Sequence, residues 1–290
     1  MKLSTLFMAL CLACVTSVSA KNWEAKWITS SECQTRSNSW ICFHKSVELP
    51  SLEGQTVYAD IAVDSKYWLW INGEMVVFEG GLKRGPNPQD TYYDHVDITK
   101  YLTQGENSIA FLMWYFGKDG FSHKSSGKAG LLFDCQANGF KILSDGSWNC
   151  KFYDAYEETG KPHPNFRMPE SNIRFDARKE IVGWTAKGAK PQFSSALVVG
   201  EAGVAPWNNL IERPIPFWKD YGMKDYVSIE TRKGEVADTF YCQLPYNCHA
   251  TPYLDVDASA GKEIRIQTDD YMGGGEPNVR AEYVTKNGKQ

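Results

Sequence analysis

The chain has 290 residues, 42% of them hydrophobic and 23% charged, with a formal net charge of −4. That length supports one large core or two ordinary ones, and the mildly acidic balance excludes a basic footprint for nucleic acid. Aromatic residues reach 13%, with 10 Trp, 15 Tyr and 14 Phe, which suits half-buried strand surfaces and also the stacking of rings on the apolar faces of sugars.

The first twenty residues, "MKLSTLFMALCLACVTSVSA", carry a positive Lys2, an apolar run from Leu6 to Val15 and a small-residue site at Val18-Ser19-Ala20. This reads as a secretory signal peptide cut after Ala20, which predicts a secreted or periplasmic protein. Lipidation at Cys14 is the competing reading, but Cys11-Leu12-Ala13 is a poor lipoprotein box. No later apolar run is long enough to span a membrane. Export permits disulfides among Cys33, Cys42, Cys135, Cys150, Cys242 and Cys248, with neighbours paired most simply; six buried thiols are the alternative.

From residue 21 strand and turn signals dominate. "TVYADIAV" alternates, and "KYWLWINGEMVVFEGG" predicts a complete hairpin around Asn72-Gly73, pairing Ile71 with Glu74, Trp70 with Met75, Leu69 with Val76 and Trp68 with Val77. Trp68 and Trp70 share one face, as core packing or as a sugar platform. Asp97 or Thr99 can cap a single helical turn over Tyr101-Leu102. Gly105-Glu106-Asn107 then turns the chain into a buried strand, "SIAFLMWYF". "LLFDCQA" and "FKILSDGSWNCKFY" continue the rhythm. Pro162, Pro164 and Pro169 break any element, and "SNIRFDARKEI" has room for a short helix. "LVVGEAGVAPWNNLIERPIPFWKDYG", with prolines at 206, 214 and 216, reads as a domain exit and linker.

The strand rhythm restarts at Tyr226. "GKEIRIQTDDY" puts Ile264 and Ile266 on one face of a half-buried antiparallel strand. The architecture predicted is all-β: a jelly-roll sandwich over 21–222, followed over 223–290 by the start of a second β-sandwich domain. The final "VRAEYVTKNGKQ" holds a second hairpin signal, Asn287-Gly288, with only Lys289 and Gln290 behind it. It reads as an interrupted hairpin.

Chemistry-bearing motifs are scarce. There is no HExxH, GxSxG, P-loop or dinucleotide fingerprint, "CQLPYNCH" lacks metal-site spacing, and neither cofactor nor metal is expected. Acids beside aromatics in "YDAYEE" and "TDDY" do not define an acid–base pair without geometry. One region stands out as a ligand surface. A buried strand delivers Trp114, Tyr115 and Phe116 into a loop carrying Asp119, Phe121 and His123. Loops at a sandwich rim are where function is grafted, and aromatic faces beside Asp and His suit a neutral polyol. Structural packing of the loop is the plainer alternative.

"EAKWITS", "YWLWINGEMV", "DHVDITKYLTQGENSIAFLMWYFG", "RFDARKEIVGW" and "LIERPIPFW", in that order, resemble the N-terminal accessory region of bacterial α-L-rhamnosidase-type glycoside hydrolases. The strand–Asn-Gly–strand pattern and "DITKYLTQGEN" also occur in the sugar-binding, galactose-binding-like jelly rolls of β-galactosidase-like enzymes. The resemblance implies β-sandwiches that precede an (α/α)6 barrel, where the family's catalytic acids reside and terminal α-L-rhamnosides are cleaved with inversion. No helical repeat follows in this sequence, so no family catalytic residue has a position here. The expectation is a non-catalytic region truncated before its barrel, inactive alone, with the barrel and a rhamnose-containing glycan as partners. A free-standing secreted carbohydrate-binding protein is the alternative.

Overall fold

A computed structural model describes residues 21–81, 85, 87–119, 123–159, 172–248, 250–267, 272–273, 276–277 and 280–290. The signal peptide read over residues 1–20 lies outside them, as do Phe121, Pro162, Pro164, Pro169, His163 and His249.

Two sheets face each other across the main core. One has seven strands. Leu197–Glu201, Lys26–Thr29, Gly130–Ala137, Tyr58–Asp64, Thr91–Asp97 and Leu210–Glu212 run in that order across it, and Phe140–Leu143 pairs with Gly130–Ala137. The other has six, in the order Ser194–Ser195, Asn149–Phe152, Ser39–Leu49, Gly105–Tyr115, Lys66–Ile71 and Glu74–Gly81. The longest pairing is antiparallel and in register from Ser39↔Tyr115 to Leu49↔Gly105. The all-β sandwich read from strand rhythm is therefore the fold.

A strand buried on both faces needs a layer on each side, and Gly105–Tyr115 has both. Ile109, Phe111, Met113 and Tyr115 point between the two sheets. Ala110, Leu112 and Trp114 point the other way, into a second cluster with Trp40, Tyr153 and Trp184. That outer cluster is closed by Ile173, Phe175, Ile181 and Phe193. Ile173 and Phe175 belong to a four-stranded sheet ordered Tyr156–Glu158, Asn172–Asp176, Arg280–Val284 and Glu263–Gln267. Asn172–Asp176 pairs in parallel with Arg280–Val284, so the third layer mixes residues from both sides of the 222/223 boundary read from the sequence. A third apolar cluster, Trp27, Ala62, Leu132 and Trp207, covers the outer face of the seven-stranded sheet.

Asn72 and Gly73 sit at φ 53° and 86°, the left-handed pair that a two-residue hairpin turn requires. Ile71↔Glu74 and Trp70↔Met75 pair as read, but Leu69 then pairs with Val77, one residue on from Val76. A bulge at Val76 supplies the extra residue and brings Val77 into the main core. Asp97 organises the helical turn: its carboxylate accepts the Thr99 N–H at 2.9 Å and hydroxyl at 2.6 Å, and the turn covers Thr99–Tyr101. The helix considered in "SNIRFDARKEI" is one 3-10 turn, Ala177–Lys179, where Asp176 accepts the Arg178 N–H.

Two readings are corrected. "LIERPIPFW" does not leave the sandwich at once, because Leu210–Glu212 pairs in parallel with Thr91–Asp97 as its edge strand. The terminal Asn287-Gly288 does not fold the chain back on Arg280–Val284. Gly288–Lys289 instead pairs with Asp257–Ala258, and the Asn287 side chain accepts the Ala260 N–H at 2.7 Å.

All six cysteines after residue 20 are free thiols, four of them buried in the sandwich. No helix among the described residues is long and apolar enough to cross a membrane.

Candidate functional site

The rim picked out from the sequence is assembled, but its rings face inward. Trp114, Tyr115 and Phe116 are 2%, 1% and 8% exposed. Alternation along a strand sends Trp114 to the outer cluster and Tyr115 to the main core. Trp114 stacks on Trp40 with ring centroids 5.4 Å apart and planes at 18°, and its indole N–H donates to Asn38 Oδ1 at 2.8 Å. Phe116 packs on Trp114 at 5.5 Å. These three rings close the end of the sandwich and present no open stacking platform.

The loop's polar residues part company. Asp119 is exposed and paired with Lys124; this bond, opposed by desolvation and helped by the Ser125 N–H, holds its carboxyl below the ordinary range. His123 turns in. Its Nε2 lies 3.2 Å from Asp64 Oδ1 and 3.1 Å from Ser65 Oγ, while Asp64 also accepts the Ser126 N–H at 2.6 Å and the Ser65 hydroxyl at 2.9 Å. Burial would push the Asp64 carboxyl up, but the His123 bond and charge and the Ser126 contacts outweigh it and hold it below the ordinary value. The grouping of Asp, Ser and His is not a nucleophile relay. In a relay the two ring nitrogens face the acid and the hydroxyl separately, whereas here both partners share Nε2. Ser65 Oγ is further engaged by the Phe116 N–H at 3.0 Å. The cluster is a buried pin that fastens residues 123–126 to the end of strand Tyr58–Asp64. Sequence reasoning missed Asp64 and Ser65; the available signal was an acid-hydroxyl pair at the point where "DIAV" stops being apolar.

A cleft of about 260 Å³ opens elsewhere, at the edge where Leu210–Glu212 joins the seven-stranded sheet, lined by Asp94, His95, Glu212, Arg213 and residues 214–217. Its floor is an ion pair between Arg213 and Asp94, both buried. Asp94 also accepts the Tyr67 hydroxyl at 2.8 Å and the Gly81 N–H at 3.0 Å. Burial pushes its carboxyl up, against the pull of Arg213 and these bonds. Its walls are Phe217, whose ring lies 4.5 Å from the Arg213 guanidinium, and the exposed His95, which Tyr58 stacks upon at 4.5 Å and 15°. A second groove, of about 370 Å³, follows residues 181–184 and 189–193, but its largest ring, Trp184, is engaged by Trp70 and Phe193.

No family model and no curated protein matches the chain. Solved structures do. A GH78 family rhamnosidase of Bacillus sp. GL1 is similar at 30% identity and TM-score 0.61, over 73% of this chain and 22% of that one. An α-L-rhamnosidase from Dictyoglumus thermophilum is similar at 20% identity and TM-score 0.67, over 93% of this chain and 32% of that one. An α-L-rhamnosidase from Aspergillus terreus gives 17% identity and TM-score 0.67, over 92% and 32%. The chain thus spans between a fifth and a third of the length of the rhamnosidases it matches. Over most of its own length it is similar in fold to part of the α-L-rhamnosidase-type glycoside hydrolases, and to one of them in sequence as well.

Proposed function

We propose that the chain is the non-catalytic β-sandwich region of a secreted α-L-rhamnosidase-like glycoside hydrolase, which supports the (α/α)6 barrel that the family resemblance implies. The observation that carries this reading is the match across most of this chain to a minor part of much longer rhamnosidases. An exposed apolar stretch adds support. Trp218, Tyr221 and Met223 are 56%, 72% and 72% exposed, and the hairpin of Ser228–Arg232 with Thr239–Gln243 sets Ile229 and Phe240 in water. Exposed apolar patches of this kind mark surfaces that pack against something. Two results test the reading. The purified 290-residue chain is expected to leave an aryl α-L-rhamnoside intact, and to associate with a separately expressed barrel of this family. Measurable turnover, or no association, sinks it.

The second reading is carbohydrate binding by the chain itself, first placed at Trp114, Tyr115, Phe116, Asp119 and His123. With the three rings buried, binding there would have to use Asp119 and the loop backbone. Calorimetry against rhamnose- and galactose-containing oligosaccharides, with Asp119→Ala as the variant, tests it; no heat with any glycan removes it.

A further inference from the structure

We propose that Asn138 and Asn287 are sites of spontaneous covalent modification, at which the side-chain amide leaves as ammonia and a carboxylate replaces it, while the fold protects the chemically equivalent Asn72. The chemistry needs neither a barrel nor a glycan.

Asn-Gly occurs three times in the sequence, at 72–73, 138–139 and 287–288. The dipeptide is reactive as well as turn-forming. Glycine has no side chain to hold its backbone nitrogen away from the preceding asparagine. That nitrogen loses its proton and attacks Cγ, and the new C–N bond closes a five-membered succinimide. The Cγ–Nδ2 bond breaks, and the amide nitrogen takes up the proton and leaves as ammonia. Water then opens the ring at either carbonyl, giving aspartate or an isoaspartate whose backbone runs through the side chain. Nothing is oxidised or reduced, and water is the one co-reactant. Sequence alone makes the three sites alike; the structure separates them.

At Asn72 the amide is held at both ends. Its Nδ2 donates to the Tyr101 carbonyl at 2.9 Å and to Asn107 Oδ1 at 2.8 Å, and its Oδ1 accepts the Ser108 N–H at 3.0 Å. Asn107 is buried and fixed in turn, its own amide donating to the Thr103 and Gly105 carbonyls at 2.6 and 2.8 Å. The turn is also packed, since a Cβ on Gly73 would lie 3.6 Å from the Ala186 backbone. Turning the Asn72 amide toward the Gly73 nitrogen breaks three bonds at a half-buried position, where a polar group left unpaired is costly.

The other two sites lack these restraints. Asn138 and Gly139 form the exposed two-residue turn between Ala137 and Phe140, and among the described residues the Asn138 side chain has no hydrogen-bond partner. Asn287 is exposed as well. Its Oδ1 accepts the Ala260 N–H at 2.7 Å, and its Nδ2, the leaving nitrogen, has no partner among the described residues. The Ala260 N–H sits on the oxygen that becomes negative as the new bond forms, where a donor lowers the barrier. A Cβ on Gly139 or on Gly288 would meet nothing within 4 Å, so each turn has room to change shape. Every conversion adds a negative charge, and the isoaspartate branch also lengthens the backbone. At Asn138 that loosens the closure of Ala137 on Phe140. At Asn287 it disturbs the pairing of Ala258 with Gly288 and the two 2.9 Å bonds between Val256 and Gln290.

The test is incubation of the purified 290-residue chain in warm, mildly alkaline buffer made with heavy-oxygen water, followed by chymotryptic peptide mapping in a mass spectrometer. Heavy oxygen enters wherever an amide has been lost, and a protein isoaspartate methyltransferase marks the isoaspartate branch. In the native chain Asn138 and Asn287 are expected to convert at least about tenfold faster than Asn72, a barrier difference of about 1.4 kcal/mol. In guanidinium, where the fold is gone, the three are expected to convert at comparable rates. Asn138→Gln and Asn287→Gln have longer side chains that do not close the five-membered ring, and each is expected to abolish labelling at its own position. Conversion of Asn72 in the native chain as fast as the other two overturns the proposal. So does an amide retained at either Asn138 or Asn287 over a time in which the unfolded chain loses it.

Discussion

At the scale of single residues, burial decides what each reactive group can do. Desolvation pushes the Cys33 thiol up to about 11 and those of Cys135 and Cys150 to about 12, and drives Cys42 well above its ordinary value. Thiolate is the reactive form, so these four are expected to resist a disulfide reagent in the native protein. Cys242 and Cys248 lie nearer solvent. Ellman titration should find two fast thiols among the six after residue 20, and all six after guanidinium unfolding; four or more fast thiols in the native state would contradict the packing. Asp64 provides a second test. Its folded pKa lies below the ordinary 3.8, so the unfolded chain binds more protons in that range. The stability it supplies is then complete above the ordinary value and lost as pH falls through the lowered one. Asp64→Asn is expected to cost about 1–3 kcal/mol at pH 7 and to flatten the acid limb of a melting-temperature curve. A variant with the parent's acid limb would show that the pin carries no linkage. Of this cluster the sequence revealed only His123. Its partners stand 58 and 59 positions earlier, at Ser65 and Asp64, and nothing local announces a contact over that distance.

At the scale of elements, hydrophobic alternation and turn chemistry were readable because both are local. Asn72-Gly73 and the turn at Asp97 are instances in which the deciding interaction spans two to four residues. Contacts made by closing the sandwich have no such local signature. Gly130 looks like a strand start in "AGLLFDCQA", yet a Cβ there would lie 2.6 Å from the ring of Trp207 and 2.9 Å from that of Trp27. Those two indoles stack at 4.3 Å with planes at 13°, leaving no room between them and the strand. Gly130→Ala is expected to destabilise by about 1–3 kcal/mol through overpacking, measured by urea denaturation; an unchanged midpoint would mean the indoles move apart freely. The edge strand Leu210–Glu212 was hidden for another reason. Three prolines nearby made the stretch read as linker, while what holds it is Arg213 reaching Asp94, 119 positions away. Arg213→Ala leaves a buried carboxylate without its cation, which costs roughly 3–5 kcal/mol. Limited proteolysis should then cut near residues 214–217 faster than in the parent.

At the scale of the whole molecule, the main question is where one folding unit ends. Composition and proline spacing put a boundary at 222, and the sandwich before it does have its own core. The third layer crosses that boundary. Arg174, in an early strand, bonds Glu282 at 2.9 Å and Glu263 at 2.8 Å, both in late strands, and Phe175 stacks on Tyr283 at 5.7 Å. Glu282 is buried, so its charge depends on Arg174 and on Arg265 at 3.6 Å. Strands 172–176 and 280–284 also share a parallel ladder, whose bonds neither strand can replace alone. A chain cut after residue 222 would therefore keep both large sheets and the pairing of Asn172–Asp176 with Tyr156–Glu158, yet lose its second partner, Arg280–Val284, and with it the Phe175–Tyr283 stack beside the outer tryptophan cluster. Such a fragment is expected to fold with native-like far-ultraviolet dichroism. It should melt several degrees below the 290-residue chain and bind more of a hydrophobic dye. Identical melting of the two would mean that residues 223–290 fold as a separate body and that the shared sheet adds nothing to the sandwich. A lower, broader transition would mean that the first 222 residues are completed by strands that follow them.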